Sequence, residues 1–150
     1  MDQPEMTMPR GTGRIHFIRK SAPTMCSGTS LGETYIEFKI RASPTQTGSQ
    51  ELKLLVDTGA AYSWIPRDLL TNLGVRSTRK ARFKTIKGEV IVREVGHVFA
   101  EYEGDTAPTA VVFAEEGDAS VFGLHGLESL GLEVDPTTMR VRRSEALLAL

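Results

Sequence analysis

Three consecutive apolar residues, Leu54-Leu55-Val56, run directly into Asp57-Thr58-Gly59-Ala60, and apolar Trp64-Ile65-Pro66 follow soon after. Asp, Thr and Gly are common turn residues, and alone they mark only a turn. A surface turn rarely has apolar residues on both sides. An Asp at the end of an apolar strand is costly unless backbone N–H groups or a partner compensate it. Thr58 adds a hydroxyl that can lock the turn, and Gly59, without a Cβ, lets another backbone approach. The segment calls for a fold that holds one carboxylate at the rim of its core.

The surrounding pattern is that of short strands. Ile36, Phe38 and Ile40 alternate with Glu37, Lys39 and Arg41, the period of a half-buried strand. A turn cluster at residues 43–49 leads to a second strand, Leu52 to Val56, whose apolar end predicts cover on both faces. A short helix is predicted from Arg67 to Leu73, with Pro66 at its start and Gly74 at its end. Phe83 to Ile86 and Val90 to Val95 flank Lys87-Gly88-Glu89 and read as a hairpin. Val98 to Tyr102 and Ala110 to Phe113, separated by residues 103–108, read as another. Val121-Phe122-Gly123 closes a short strand before a helix from Leu124 to Leu130, and Met139-Arg140-Val141 reads as a last strand. Strand, glycine-containing turn and helix occur twice, ending in Leu73-Gly74-Val75 and Leu130-Gly131-Leu132, a hint of internal pseudo-symmetry. Many short strands with two short helices make an all-β fold.

Residues 1–32 differ from the rest. They carry Pro, Gly, Ser and Thr, four of the five Met, and one short apolar cluster at Ile15-His16-Phe17-Ile18. They read as a flexible extension, with an edge strand or an interface segment as the other roles open to the cluster. The remaining 118 residues are ample for one domain, here taken as residues 33–142 with a tail from 143 to 150.

Composition narrows the function. Eighteen Lys and Arg against nineteen Asp and Glu give a net charge of -1, unlike a dedicated nucleic-acid binder. Arg76, Arg79, Lys80, Arg82, Lys84 and Lys87 form a basic run that reads as a solvated strand and turn. Cys26 is the single cysteine, and His16, His97 and His125 lack metal-ligand spacing, so neither a disulfide nor a metal is expected. No apolar stretch reaches the ~18 residues of a membrane helix. The expectation is a cytoplasmic protein that needs no cofactor, no nucleic acid and no membrane.

Leu54-Leu55-Val56-Asp57-Thr58-Gly59-Ala60 resembles the catalytic motif of the retropepsin-like aspartic proteases, the single-lobe relatives of pepsin. Val121-Phe122-Gly123 and the segment from Leu127 to Pro136 resemble that family's second signature and C-terminal helix. The likeness spans roughly residues 33 to 142, and its order and spacing are similar to the small cellular microbial branch.

The resemblance implies a closed single-lobe β-barrel with one or two short helices. It also implies an aspartic endopeptidase acting on peptide or unfolded protein, without metal or cofactor. Its chemistry needs two aspartates about 3 Å apart that share one proton. Asp2, Asp68, Asp105, Asp118 and Asp135 are not followed by Thr-Gly or Ser-Gly, so one chain supplies one carboxylate. The implied enzyme is therefore a homodimer with Asp57 on its two-fold axis. By the same resemblance Asp57 is the acid/base, Thr58 bonds across the axis, and Gly59 and Ala60 offer backbone to the substrate. Ile86, Lys87 and Gly88 stand at the flap tip, and Val121, Phe122 and Gly123 line or support the substrate site. Trp64 reads as core or pocket support.

The chain departs from retroviral members. Ala61 and Tyr62 follow the first motif and Leu124 follows Gly123, so both halves of a retroviral ion pair are replaced together. The flap holds one glycine. Two other readings compete. One is a catalytically silent dimerisation or peptide-binding module on the same fold. The other is the first phosphate loop of an actin-like sugar kinase, which would need a second such loop and a far longer chain.

Overall fold

The computed structural model describes residues 16–17 and 33–145. The flexible extension expected from 1 to 32, apart from His16 and Phe17, and the apolar tail from Ala146 lie outside the described residues, as does Cys26.

Among the described residues, ten strands and two helices follow in the order β1 (His16–Phe17), β2 (Tyr35–Arg41), β3 (Gln50–Asp57), β4 (Ser63–Pro66), α1 (Arg67–Leu73), β5 (Arg79–Lys84), β6 (Val90–Tyr102), β7 (Asp105–Ala114), β8 (Val121–Gly123), α2 (Leu124–Ser129), β9 (Leu132–Asp135) and β10 (Arg140–Arg143). The main sheet runs β3-β2-β6-β7-β4-β8, and β8 pairs back to β3. That last pairing closes a six-stranded barrel and removes its open edges.

Side-chain alternation decides which face turns inward. Ile36, Phe38 and Ile40 of β2 and Leu52 and Leu54 of β3 are buried, while the residues between them reach outward. Pairing of Tyr35 with Leu55 through Ile40 with Gln50 makes the expected first hairpin. Opposite them lie Val98, Val111, Phe113, Phe122 and Leu127, all in one core cluster. Burying five such side chains contributes on the order of 10 kcal/mol before chain entropy is counted.

Helix α1 lies where its punctuation places it. Pro66 precedes it with extended backbone, and Gly74 ends it in the left-handed conformation, its N–H donating to the carbonyls of Leu70 and Thr71. Leu69 and Leu70 fix it to the core.

Two expectations need correction. The loop predicted over residues 103–108 is a two-residue turn, Glu103-Gly104, with φ of 49° and 91°. Two successive positive φ values match the twist of the flanking strands, so Tyr102 already pairs with Asp105 and β7 begins there. The end of β3 is also less covered than its sequence promised: Leu55 and Val56 are half-buried and Asp57 is exposed.

His16–Phe17 lies parallel to β3 at Leu52 and Lys53, so the apolar cluster does supply an edge strand. The β9–β10 hairpin forms a separate two-stranded sheet. Arg143 closes its register opposite Leu132.

Candidate active site

The loop after β3 is held by β8, β4 and the start of α2. Strand β8 runs parallel to the end of β3, with Leu55, Val56 and Asp57 beside Val121, Phe122 and Gly123. The chain then turns through residues 58–62 and returns as β4, which touches β8 at Trp64 and Val121. The loop that starts at Asp57 and the strand that ends at Gly123 are thus locked together.

Three hydrogen bonds make the lock. The Gly123 N–H donates to the buried Ser63 Oγ at 2.9 Å. The N–H groups of Leu124 and His125 donate to the carbonyls of Ala60 and Ala61 at 2.8 and 2.9 Å. These two donors are the first N–H groups of α2, which have no partner inside the helix. The loop therefore caps α2 while α2 holds the loop. Gly123 itself has extended backbone (φ -92°) that any residue adopts. It is needed for space: a Cβ there would stand 2.4 Å from the Tyr62 carbonyl oxygen and 2.8 Å from that of Ala60.

Within the loop, the Gly59 N–H donates to Asp57 Oδ1 at 2.9 Å and the Ala60 N–H to the Asp57 carbonyl at 3.1 Å. This is the backbone compensation that an Asp at a strand end requires. Asp57, Thr58 and Gly59 are all exposed, and Ala60 is half-buried. Among the described residues, the Thr58 side chain has no hydrogen-bond partner. The site of one chain is a fixed carboxylate on an open face, not an acid sealed in a pocket.

The remaining predicted residues divide into two groups. Gly123 and Val121 flank the Asp57 loop, both buried. Phe122 has no exposed surface; its ring sits 4.6 Å from that of Phe38 and under Gly126, so it supports the core and is not a pocket wall. Ile86, Lys87 and Gly88 stand at the tip of the β5–β6 hairpin, where Gly88 takes a φ of 91° and Ile86 is fully exposed. The hairpin meets the site along β5: Phe83, one pair short of the turn, packs edge-on to Trp64 at 5.1 Å and to Tyr62 at 6.1 Å. Trp64 is half-buried in this role.

Several neighbours of the loop were not expected as contributors to the site. Ser63 is the hidden acceptor for Gly123. Tyr62 joins the loop to the hairpin through Phe83 and through its hydroxyl, which accepts from Arg79 at 3.3 Å. His125, exposed at the start of α2, meets Tyr62 edge-on at 5.7 Å. Leu124, directly after Gly123, is 38% exposed beside the loop. Among the described residues, no three His, Cys, Asp or Glu side chains converge as a metal site.

A closed barrel with an Asp-Thr-Gly loop braced by an apolar-apolar-Gly strand defines a class, and comparison with known proteins gives the same one. The family profile described as "gag-polyprotein putative aspartyl protease" matches residues 44–129, more than half of the chain. The chain belongs to that family, the retropepsin-like aspartyl proteases. The solution structure of simian foamy virus (mac) protease aligns with a TM-score of 0.41 at 20% identity, covering 63% of this chain and 91% of that one. No curated protein matches the chain.

Proposed function

We propose that the chain is an aspartic endopeptidase whose active site is completed by a second copy, Asp57 meeting its twin on a two-fold axis. The observation that carries this reading is the presentation of Asp57. Its loop is fixed from behind by Ser63, Leu124 and His125, while its carboxylate and Thr58 face outward. Such rigidity is wasted on a solvated turn, but it is what positioning one carboxylate against another requires.

The chemistry follows from the pairing. Two carboxylates at close range do not both ionise, so one proton is shared and the pair titrates as a unit. The unprotonated oxygen takes a proton from a bound water as that water attacks the peptide carbonyl carbon. The protonated carboxyl donates to the carbonyl oxygen, giving a tetrahedral diol. Proton transfer to the amide nitrogen and cleavage of the C–N bond then release the two peptides. Thr58, whose side chain has no hydrogen-bond partner among the described residues, would bond across the axis. The β5–β6 hairpin is the flap, closing over a substrate strand held by main-chain bonds.

The test joins activity to assembly. Wild-type protein should digest a mixture of unfolded proteins and run as a dimer in native mass measurement. Asp57→Asn should dimerise and digest about 10²–10⁴-fold more slowly. A wild type that dimerises and turns over no peptide between about pH 4 and 7 would make the chain a silent dimerisation or peptide-binding module instead.

A further inference from the structure

The flap hairpin carries a charge pattern that peptide hydrolysis does not require. Between Arg76 and Lys87 stand six of the chain's eighteen Lys and Arg, with no acid among them. Elsewhere most of the described cations find partners: Arg41 pairs with Glu101, Arg67 with Glu94 and Glu115, Arg93 with Asp118, and Arg142 and Arg143 with acids of their own. None of these six pairs with a carboxylate among the described residues, and Arg79 meets only the Tyr62 hydroxyl.

Their placement is ordered. Lys80, Arg82 and Lys84 alternate along β5 and are exposed, while Ala81 and Phe83 between them turn inward. Across the hairpin they face Glu94, Val92 and Val90. Val90 and Val92 are 51% and 52% exposed. Glu94, the acid on this face, is engaged by Arg67 at 3.3 Å. The outer face of the flap is therefore a row of three cations about 6.8 Å apart beside a row of bare valines.

We propose that this face is an exosite for an extended acidic segment of the protein substrate, with Asp or Glu at alternate positions. The inference rests on the peptidase reading. An extended strand repeats its side chains at the same spacing as the cations, so three carboxylates fall in register with Lys80, Arg82 and Lys84. Side chains near the edge of the segment rest on Val90 and Val92. Nucleic acid is the poorer fit, because Phe83 faces inward and leaves this side of the hairpin no aromatic platform for bases.

The experiment uses the full chain carrying Asp57→Asn, so that peptides are bound without being cut. Fluorescent seven-residue peptides with Glu at alternate positions are compared with the same peptides carrying Gln. The Glu peptide should bind about tenfold tighter, the sum of three exposed ion pairs, and the preference should fade as salt is raised. Lys80→Gln, Arg82→Gln and Lys84→Gln together should abolish it, with the circular dichroism spectrum and Tm showing an intact fold. Arg140→Gln, on the separate β9–β10 sheet, should leave it in place. Equal binding of the Glu and Gln peptides overturns the exosite, and active wild type that digests proteins would still stand as a peptidase. A Glu preference in a wild type that digests nothing upholds the surface and removes the peptidase. Tighter binding of a single-stranded DNA oligonucleotide, or of phosphatidylserine vesicles, than of the Glu peptide overturns the proposal in favour of that polyanion.

Discussion

Gly123→Ala is the sharpest probe of the lock behind Asp57. The backbone there is extended, so alanine carries no conformational penalty. The whole effect is steric. The new methyl would lie 2.4 Å from the Tyr62 carbonyl oxygen, 2.6 Å from its carbon and 2.8 Å from the Ala60 carbonyl oxygen, all backbone atoms. Either the 60–62 segment or the end of β8 must retreat by about 1 Å to reach van der Waals contact. Overpacking of this kind costs about 1–3 kcal/mol. The same movement stretches the bonds from Gly123, Leu124 and His125, each worth about 1 kcal/mol. A total near 3 kcal/mol is expected, about 10 °C in Tm for a domain of this size. Activity should fall further than stability, because a catalytic group misplaced by about 1 Å loses about 100-fold in rate. The assay pairs thermal unfolding with kcat on one peptide, measured well below the Tm of the variant. Gly131→Ala serves as control: its φ of 71° brings strain, but nothing lies within 4 Å of the added carbon. A Gly123→Ala protein with the Tm and kcat of wild type would refute the idea that this close approach positions Asp57.

Further outcomes follow from individual contacts. Ser63→Ala leaves the Gly123 N–H buried without an acceptor and should cost about 1–3 kcal/mol in urea unfolding; an unchanged midpoint would show that the bond is dispensable. Asp57→Asn should lower kcat by about 10²–10⁴-fold while its native mass stays that of wild type, and retention of activity would place the acid/base elsewhere. The Arg41 guanidinium, 2.5 Å from Glu101, holds that carboxyl below the usual glutamate range. Its stabilisation is therefore present above the unfolded pKa and lost as pH falls through the lower folded value. Glu101→Gln should be less stable than wild type near neutrality and lose less on acidification to about pH 3, compared by urea midpoints; parallel pH profiles would contradict the pairing.

Much of the fold was legible because local chemistry and burial agree. The alternation in β2 survives intact since one face meets the core and the other meets water. Pro66 and Gly74 bracket α1 because each can take the backbone its end demands. The third hairpin misled for a local reason. Glu103-Gly104 needs two left-handed residues, and a glutamate does not advertise that conformation. Pro108 then read as loop, although β4 pairs with β7 only from Val111 onward. Before that point one edge of β7 is unpaired by β4, and a missing N–H is tolerated there.

The letters of the candidate site stood out in the sequence, and the residues that support its loop did not. Gly123 stood out through a resemblance, but its reason is a tertiary one, the Tyr62 carbonyl 61 residues earlier in the chain pressed against its Cα. Phe122 looked like a pocket residue because β8 is apolar throughout. A strand buried on both faces has no alternation to separate core from lining. Asp57 is the reverse case. Three apolar residues before an acid read as burial, yet Leu55 and Val56 are half-covered and Leu124 beside the loop is 38% exposed. On the proposed reading these are one fact. An apolar shoulder around an outward carboxylate would be the surface against which an identical copy rests, so that the burial written into the run before Asp57 would be met by the proposed dimer and not by the single chain.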